Sequence, residues 1–180
     1  RGEHDRRTDP ELRAADKRMV VYEASPRHRV FLEELLATYW EVESTGSPAD
    51  VLAKIRHRPP DAVVLSVGPS ADEVFGLLDE IDELRTARGF PVLVHFGATD
   101  ETLYQQAYER GADDVVGPTA PPRELLARVQ TQLARTDLSA TLRQLSRQKY
   151  YRLFEQAPVA IAILEGPDLV LSLANPAHRA

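Results

Sequence analysis

The sequence predicts an α/β protein in which helices cover both faces of a doubly wound parallel sheet. Short, continuously apolar runs alternate along the chain with amphipathic stretches of helical period. Continuous apolar runs are typical of strands buried on both faces, and alternation of strands with helices favours right-handed crossovers within one sheet. Five such strand–helix units occur between residues 19 and 136, which we therefore predict to form one domain.

Five segments of this domain have strand patterns. Residues 19–22, 62–67 and 92–96 are the continuous apolar runs. Residues 41–44 are short and polar enough for an edge strand, and residues 114–116 precede a Gly-Pro pair. We therefore expect three strong strands and two weaker ones in the sheet.

Amphipathic stretches with plausible caps lie between these strands. Ser70 and Glu73 have the spacing of a capping box. Thr99 and Asp100 are placed to cap the next helix, which Gly111 is placed to end. The predicted helices cover residues 26–40, 48–56, 70–84, 100–111 and 121–136. The apolar residues expected to face the sheet are Val30, Phe31, Leu35 and Leu36, then Val51, Leu52 and Ile55, then Val74, Leu77, Leu78, Ile81 and Leu84, and finally Leu125, Val129 and Leu133.

Polar or helical segments flank the domain. Residues 1–18 are predicted to be a polar segment with a short helix that Asp9 and Pro10 begin. Residues 137–152 continue as a connector helix, where leucines follow one another at steps of four and then three: Leu138, Leu142 and Leu145. This is coiled-coil spacing over about two heptads, so dimerisation through the connector is a hypothesis.

Composition excludes several kinds of function. The chain has no cysteine, which excludes thiolate catalysis and disulfides, and we assign no metal and no cofactor. The net charge is −6, although residues 123–152 carry seven cations and two anions. An acidic body disfavours nucleic-acid binding, and a solvated helix face is the favoured interpretation of the basic stretch. We expect a cytoplasmic protein, since the apolar runs are too short to span a membrane and no export signal is evident.

Residues 19–136 resemble the receiver domain of bacterial two-component response regulators. The motifs that carry the likeness are VYEASP at 21–26, PDAVVL at 60–65, PVLV at 91–94, GADDVV at 111–116 and PRELLARV at 122–129. The resemblance implies a flavodoxin-like sheet with strand order 2-1-3-4-5. It also implies an aspartate nucleophile at the end of strand three and Mg²⁺ held by carboxylates after strand one. A hydroxyl after strand four and a lysine after strand five complete the implied site.

The sequence departs from that pattern at nearly every functional position. The residues at the corresponding positions are Glu23, Ala24, Ser66, Phe96 and Pro118. Only Glu23 keeps the required chemistry, so we predict a pseudo-receiver that accepts no phosphoryl group and is not an enzyme. Glu23 is expected to be a partly solvated carboxylate rather than a metal ligand. Phe96 and Val115 are expected to fill the space in which the hydroxyl and the switch aromatic of receivers move.

Other candidate sites carry less weight. Glu23, Ser66 and His95 could supply a Ser-His-Glu hydrolase site, but strand alternation turns His95 away from Phe96, and Ser66 lacks a nucleophile-elbow pattern. His28 and His57 are expected to be surface residues. For Tyr104 and Tyr108, one helical turn apart, packing against the sheet is favoured over an interface role.

Residues 153–180 resemble the opening of a PAS sensor domain. The likeness rests on FEQAPVAIAIL at 154–164, a turn at Gly166, and LANP at 173–176. It covers only the first two strands, residues 158–164 and 169–173. The resemblance therefore assigns no ligand pocket and no cofactor to these residues.

A receiver-like domain, a connector helix and a PAS start, in that order, are typical of the input half of a bacterial sensor histidine kinase. We expect a regulatory and dimerisation module that forms a homodimer through the connector or the receiver-like domain. Other signalling proteins are expected partners, whereas nucleic acid and membrane are not. Two alternatives stay open: a passive spacer in a PAS-containing diguanylate cyclase or kinase, and a flavodoxin-like sensor that binds a small ligand at the ends of strands one and three.

Overall fold

The computed structural model describes residues 16–68, 70–85, 89–165 and 170–179. The chain divides into two compact units, Arg1–Thr136 and Asp137–Ala180. The short N-terminal helix predicted at Asp9 and Pro10 and the turn predicted at Gly166 lie outside the described residues.

The first unit contains the predicted doubly wound sheet. Its five strands are β1 (Arg18–Tyr22), β2 (Glu41–Thr45), β3 (Ala62–Val67), β4 (Val92–Phe96) and β5 (Asp114–Val116). All neighbouring strands pair in parallel, in the order β2-β1-β3-β4-β5. This order confirms the flavodoxin-like prediction.

Helices follow each strand of the sheet. Those of the first unit are α1 (Pro26–Ala37), α2 (Pro48–His57), α3 (Asp72–Arg85), α4 (Glu101–Glu109) and the start of α5 (Pro122–Gln156). The N-cap prediction for Asp100 is confirmed, because its carboxylate accepts hydrogen bonds from the backbone N–H groups of Thr102 and Leu103. Gly111 follows α4 with φ of 95°, a left-handed conformation that favours glycine.

The sheet separates two apolar cores, because side chains alternate along each strand. On β3, Val63, Leu65 and Val67 face the core beneath α2 and α3, whereas Ala62 and Val64 face the core beneath α1 and α5. The predicted inward residues of α5 are all buried in that second core: Leu125, Val129 and Leu133.

Helix α1 does not bury the predicted face. Leu32 and Leu36 are buried, whereas Val30 is 54% exposed and Phe31 is 46% exposed. Apolar residues occupy two adjacent stripes of this helix, and helical period alone does not decide which stripe contacts the sheet. The prediction for Val30 and Phe31 was therefore wrong, and α1 presents an apolar patch to solvent.

Glu73, at the start of α3, has a different partner from the predicted one. Its carboxylate accepts a hydrogen bond from the buried Tyr22 hydroxyl of β1. Burial and the adjacent Glu73 carboxylate raise the pKa of Tyr22 above its usual value, so the phenol stays protonated as the donor. This contact joins the first turn of α3 to the end of β1.

The second unit contains the remainder of α5, an antiparallel hairpin and a short helix, α6 (Pro176–Arg179). The hairpin strands are β6 (Ala162–Glu165) and β7 (Val170–Ala174), with a register shift between Ile163 and Leu164. In the parts of the chain that the structure describes, no helix is both long and apolar enough to cross a membrane.

Candidate functional site

The carboxyl ends of β1, β3 and β4 border a cavity of about 440 Å³. Strand order reverses beside β1, because its neighbours are β2 on one side and β3 on the other. Ligands of open α/β sheets bind at such a reversal. Four of the five positions singled out in the sequence line this cavity: Glu23, Ala24, Ser66 and Phe96. Pro118 instead lines a neighbouring cavity of about 220 Å³.

Glu23 is buried, with only 3% of its surface exposed, so the prediction of a partly solvated carboxylate was wrong. The chain turns back after β1, and Oε1 accepts a hydrogen bond of 2.7 Å from the backbone N–H of Ser25. The second oxygen, Oε2, lies 3.1 Å from Nδ1 of His28. These two contacts hold the carboxylate against the loop between β1 and α1.

His28 is a half-exposed surface residue, as expected, and it also belongs to this site. It lies in the first turn of α1, which places its ring over the carboxyl ends of the strands. Its ring stacks on Phe31 and meets the ring of His95 edge-on, with centroids 6.1 Å apart in each pair. The spacing of five residues from Glu23, across a tight strand–helix connection, is the signal in the sequence that could have located it.

Ser66 and His95 come together on neighbouring strands. They are direct register partners on β3 and β4, and Ser66 Oγ lies 3.4 Å from His95 Nδ1. Burial lowers the pKa of His95 below its usual value and the nearby His28 lowers it further, whereas Glu23 acts in the opposite direction.

A Ser-His-Glu hydrolase site is nevertheless not assembled. The carboxylate of Glu23 contacts His28 and the Ser25 backbone rather than His95. A triad requires the carboxylate to orient the same imidazole that contacts the nucleophile. His95 does point away from the Phe96 side of the sheet, as alternation predicts, and it lines the smaller cavity with Pro118.

Aromatic packing fills the side of the site near α4. Phe96 is almost fully buried, and its ring centroid lies 4.8 Å from that of Tyr104. The Tyr104 hydroxyl donates to the Ala98 carbonyl at 3.3 Å and lies so close to Gly117 that a Cβ there would be 3.0 Å away. Tyr104 thus packs against the sheet, as expected. Tyr108 is 49% exposed, so the packing prediction was wrong for this residue.

The donor groups of the site do not fit Mg²⁺. That ion prefers several oxygen ligands, whereas Ala24 offers no side-chain oxygen and Glu23 is the one carboxylate among the described residues that line the cavity. No group of three or more potential ligands among His, Asp and Glu occurs within the described ranges. The site is therefore unlike a metal-dependent phosphoacceptor site.

Comparisons with known proteins agree with this fold. No family model matches the chain. The chain is 35% identical to the transcriptional regulatory protein CreB of Escherichia coli K12 over 117 residues, which are 65% of this chain and 49% of CreB. It is 31% identical to the transcriptional regulatory protein KdpE of Mycobacterium tuberculosis over 105 residues, 58% of this chain and 45% of KdpE. The chain thus spans about half the length of these curated relatives.

Solved receiver structures share the architecture of the first unit. A CheY-like receiver domain protein of Methanospirillum hungatei aligns with a TM-score of 0.62 and 20% identity, covering 69% of this chain and 99% of that one. The BeF3-activated N-terminal receiver domain of Klebsiella pneumoniae RstA aligns with a TM-score of 0.57 and 22% identity, covering 64% and 97%. The first unit therefore has the fold of a receiver domain.

At the positions that the resemblance to receivers singles out, this chain carries other side chains. The carboxyl end of β3 presents the hydroxyl of Ser66, and the carboxyl end of β4 presents the ring of Phe96. Pro118, two residues after the end of β5 at Val116, has no cationic side chain. The one retained carboxylate, on Glu23, is bound to its own loop and to His28.

Proposed function

We propose that this receiver domain is a regulatory and dimerisation module that is not switched by phosphorylation at the end of β3. The observation that carries the proposal is the state of Ser66, which is 2% exposed and has its hydroxyl beside His95. A serine cannot form the acyl phosphate that an aspartate forms. Its attack on a phosphoryl donor would also need cationic stabilisation of the transferred group.

The surroundings of Ser66 do not supply that stabilisation. Phe96 and Pro118 stand where a hydroxyl and a lysine would act, and the carboxylate of Glu23, which lines the same cavity as Ser66, would repel a phosphoryl group. We therefore propose that the described chain has no phosphotransfer activity of its own, and that its output depends on binding rather than on catalysis.

Two exposed features support a homodimer. Leu138, Leu142 and Leu145 are each more than half exposed on α5, and their spacing is that of a coiled-coil seam. Tyr108 offers a second exposed apolar side chain, on α4. A second copy of the chain, paired through the connector part of α5, would bury the leucine seam.

We further propose that the second unit is the start of a PAS domain. The antiparallel β6–β7 hairpin follows α5, and Asn175 is fully buried at the end of β7. An isolated two-stranded hairpin with Leu164, Val170 and Leu171 exposed does not cover its own apolar surface. This arrangement supports a larger sensor domain as its complete form, and the order of receiver-like domain, connector helix and PAS-like start leads us to propose a sensor histidine kinase as the parent.

A transcriptional regulator is the second candidate for the parent. The curated relatives CreB and KdpE bear that description, and the chain spans about half of each. In that case the complete protein would have a nucleic-acid partner through a part that this chain does not match.

A passive spacer role would instead leave the output of the parent unchanged when residues 19–136 are deleted.

Intact mass after incubation with acetyl phosphate and Mg²⁺ tests the central proposal. We expect no adduct on the wild-type chain. The matched positive control combines Ala24→Asp, Ser66→Asp, Phe96→Thr and Pro118→Lys, which restores the missing groups on the same fold. A phosphoryl adduct on a wild-type carboxylate, located by fragmentation, would overturn the proposal.

A further inference from the structure

The cavity at the carboxyl ends of β1, β3 and β4 is lined by both polar and apolar residues. Glu23, whose carboxylate is buried, and Ser66 are among the polar residues. Phe96 and Leu103 are among the apolar residues. The cavity volume of about 440 Å³ lies within the range of small-molecule sites.

Charge decides which ligands this cavity can accept. Among the described residues that line it, Glu23 is the carboxylate, His28 is the one side chain that can take up a positive charge, and none is a lysine or an arginine. Arg29, the nearby cation of α1, donates from Nη1 to the Glu23 backbone carbonyl at 2.9 Å and does not line the cavity. An anionic ligand would therefore meet an unfavourable potential, whereas a cation would offset the charge of Glu23.

Glu23 also keeps the capacity to bind such a ligand. Each carboxylate oxygen has one partner within the chain, the Ser25 backbone N–H for Oε1 and the His28 ring for Oε2. A carboxylate accepts about four hydrogen bonds in all. The half-exposed His28 ring is in addition able to move aside more readily than a core residue.

We propose that this cavity binds a small organic ammonium ion with an apolar body, with the ammonium group at Glu23 and the body against Phe96 and Leu103. A carboxylate beside an aromatic face is the combination that suits such cations, because both attract positive charge and the ring excludes water. The inference does not depend on whether the domain is phosphorylated or dimeric, so it can fail without affecting the function proposed above.

Benzylammonium, benzoate and benzyl alcohol are suitable probes, since they share one ring and differ in charge. Each is titrated into the full chain at constant ionic strength while amide chemical shifts are recorded. Benzylammonium is expected to give saturable shifts centred on Ala24, Ser66 and Gly97, which line the cavity. Benzoate is expected to give none there. Ammonium chloride at equal concentration controls for general attraction of cations to an acidic protein.

Two variants assign the effect to Glu23. Glu23→Gln keeps the shape and the acceptor oxygen but removes the charge, and should weaken benzylammonium binding about tenfold. Glu34→Gln, on the exposed part of α1 and outside the cavity lining, makes the same change in net charge and should leave binding unchanged. If Glu23→Gln fails to fold, Phe96→Leu is the second test. It changes the apolar part of the lining and should also lower the affinity for benzylammonium.

Equal binding of the three probes would overturn the proposal, because it would make the cavity merely apolar. Saturable shifts at another surface, or an equal loss of affinity in Glu34→Gln, would overturn it as well. The proposal would also be overturned if benzylammonium failed to bind the wild-type chain at concentrations where ammonium chloride has no effect. That outcome requires no variant.

Discussion

The hydroxyl of Ser66 lies 3.4 Å from Nδ1 of His95, its direct register partner across β3 and β4. This contact occupies the strand end at which a receiver carries its nucleophile. It gives Ser66 a neighbour on the face of the sheet opposite to Phe96. The result is a polar pair inside the sheet, with His28 and Glu23 next to it.

The first prediction concerns acid stability. Burial and the adjacent His28 lower the pKa of His95 below its ordinary value of 6.5, so the unfolded chain binds a proton at this residue more readily than the folded chain does. The free energy of unfolding should therefore fall as pH decreases below about 6.5. Urea unfolding at pH 7.5 and 5.5 measures this slope, and His95→Gln should reduce it. His57→Gln, at an exposed position, is the control, and an unchanged slope in His95→Gln would contradict the assignment.

A second prediction concerns the ion pair between β1 and β2. Arg18 is buried and its Nε donates to Glu43 Oε1 at 2.6 Å, while Lys54 contacts Oε2 at 3.0 Å. The hydrogen bond from Arg18 is the main reason that the pKa of Glu43 falls from 4.5 to about 2. Glu43→Gln should cost about 1–2 kcal/mol at pH 7, after allowance for the partial exposure of the carboxylate.

The pH dependence of this pair follows from the direction of the shift. Stabilisation by Glu43 is complete above pH 4.5 and is lost as pH falls toward 2, so wild type and Glu43→Gln should converge over that range. Glu41→Gln is the matched control, because Glu41 pairs with Arg58 at 3.5 Å and both side chains are more than half exposed. It should change stability by less than about 0.5 kcal/mol. Equal effects of the two variants would refute the importance of burial.

A third prediction concerns Asn175 in the second unit. Its Nδ2 donates to the backbone carbonyls of Phe154 and Val159, and its Oδ1 accepts from the backbone N–H groups of Ile161 and His178. Asn175→Ala leaves these backbone groups without their partner and should destabilise the hairpin by about 2 kcal/mol or more. Hydrogen exchange at the Ile161 amide reports this loss. Ser172→Ala, on the exposed part of β7, should leave that exchange rate unchanged, and retained protection in Asn175→Ala would count against the role of the amide.

A fourth prediction concerns the leucine seam of α5. Leu142→Glu places a charge in the centre of the exposed seam and should convert a homodimer into a monomer, which light scattering during gel filtration detects. Gln144→Glu adds the same charge two residues away, on a different side of the helix, and should leave the dimer intact. If the wild-type chain is monomeric at high micromolar concentration, the connector is not a dimerisation element.

Local sequence patterns were sufficient to predict the strands of the sheet, whereas the strand order came from the resemblance to receivers. Continuous apolar runs predict β1, β3 and β4 because these strands are buried on both faces, so burial depends little on which neighbour packs where. The Asp100 cap could be predicted for a similar reason, since its partners, Thr102 and Leu103, lie within three residues.

Non-local packing could not be predicted in the same way. The connection between β1 and α1 determines which stripe of α1 is buried. Leu32 rather than Phe31 faces the sheet. The hydrogen bond between Tyr22 and Glu73 joins residues that are far apart in sequence. The local sequence instead predicted that Glu73 would cap the start of its own helix. At the site, the motif positions were predictable, but the burial of Glu23 and its contact with His28 required the three-dimensional arrangement.

The Asn175 amide couples three parts of the second unit that sequence alone leaves separate. Through one side chain it connects Phe154 in the last turns of α5, Val159 and Ile161 in the approach to β6, and the backbone of α6 at His178. Unwinding of the last turns of α5 therefore removes a support of the hairpin, and fraying of the hairpin removes a support of the helix end. These elements should open and close as one cooperative unit. A disturbance that reaches the end of α5 is consequently converted into order or disorder of the strands that follow.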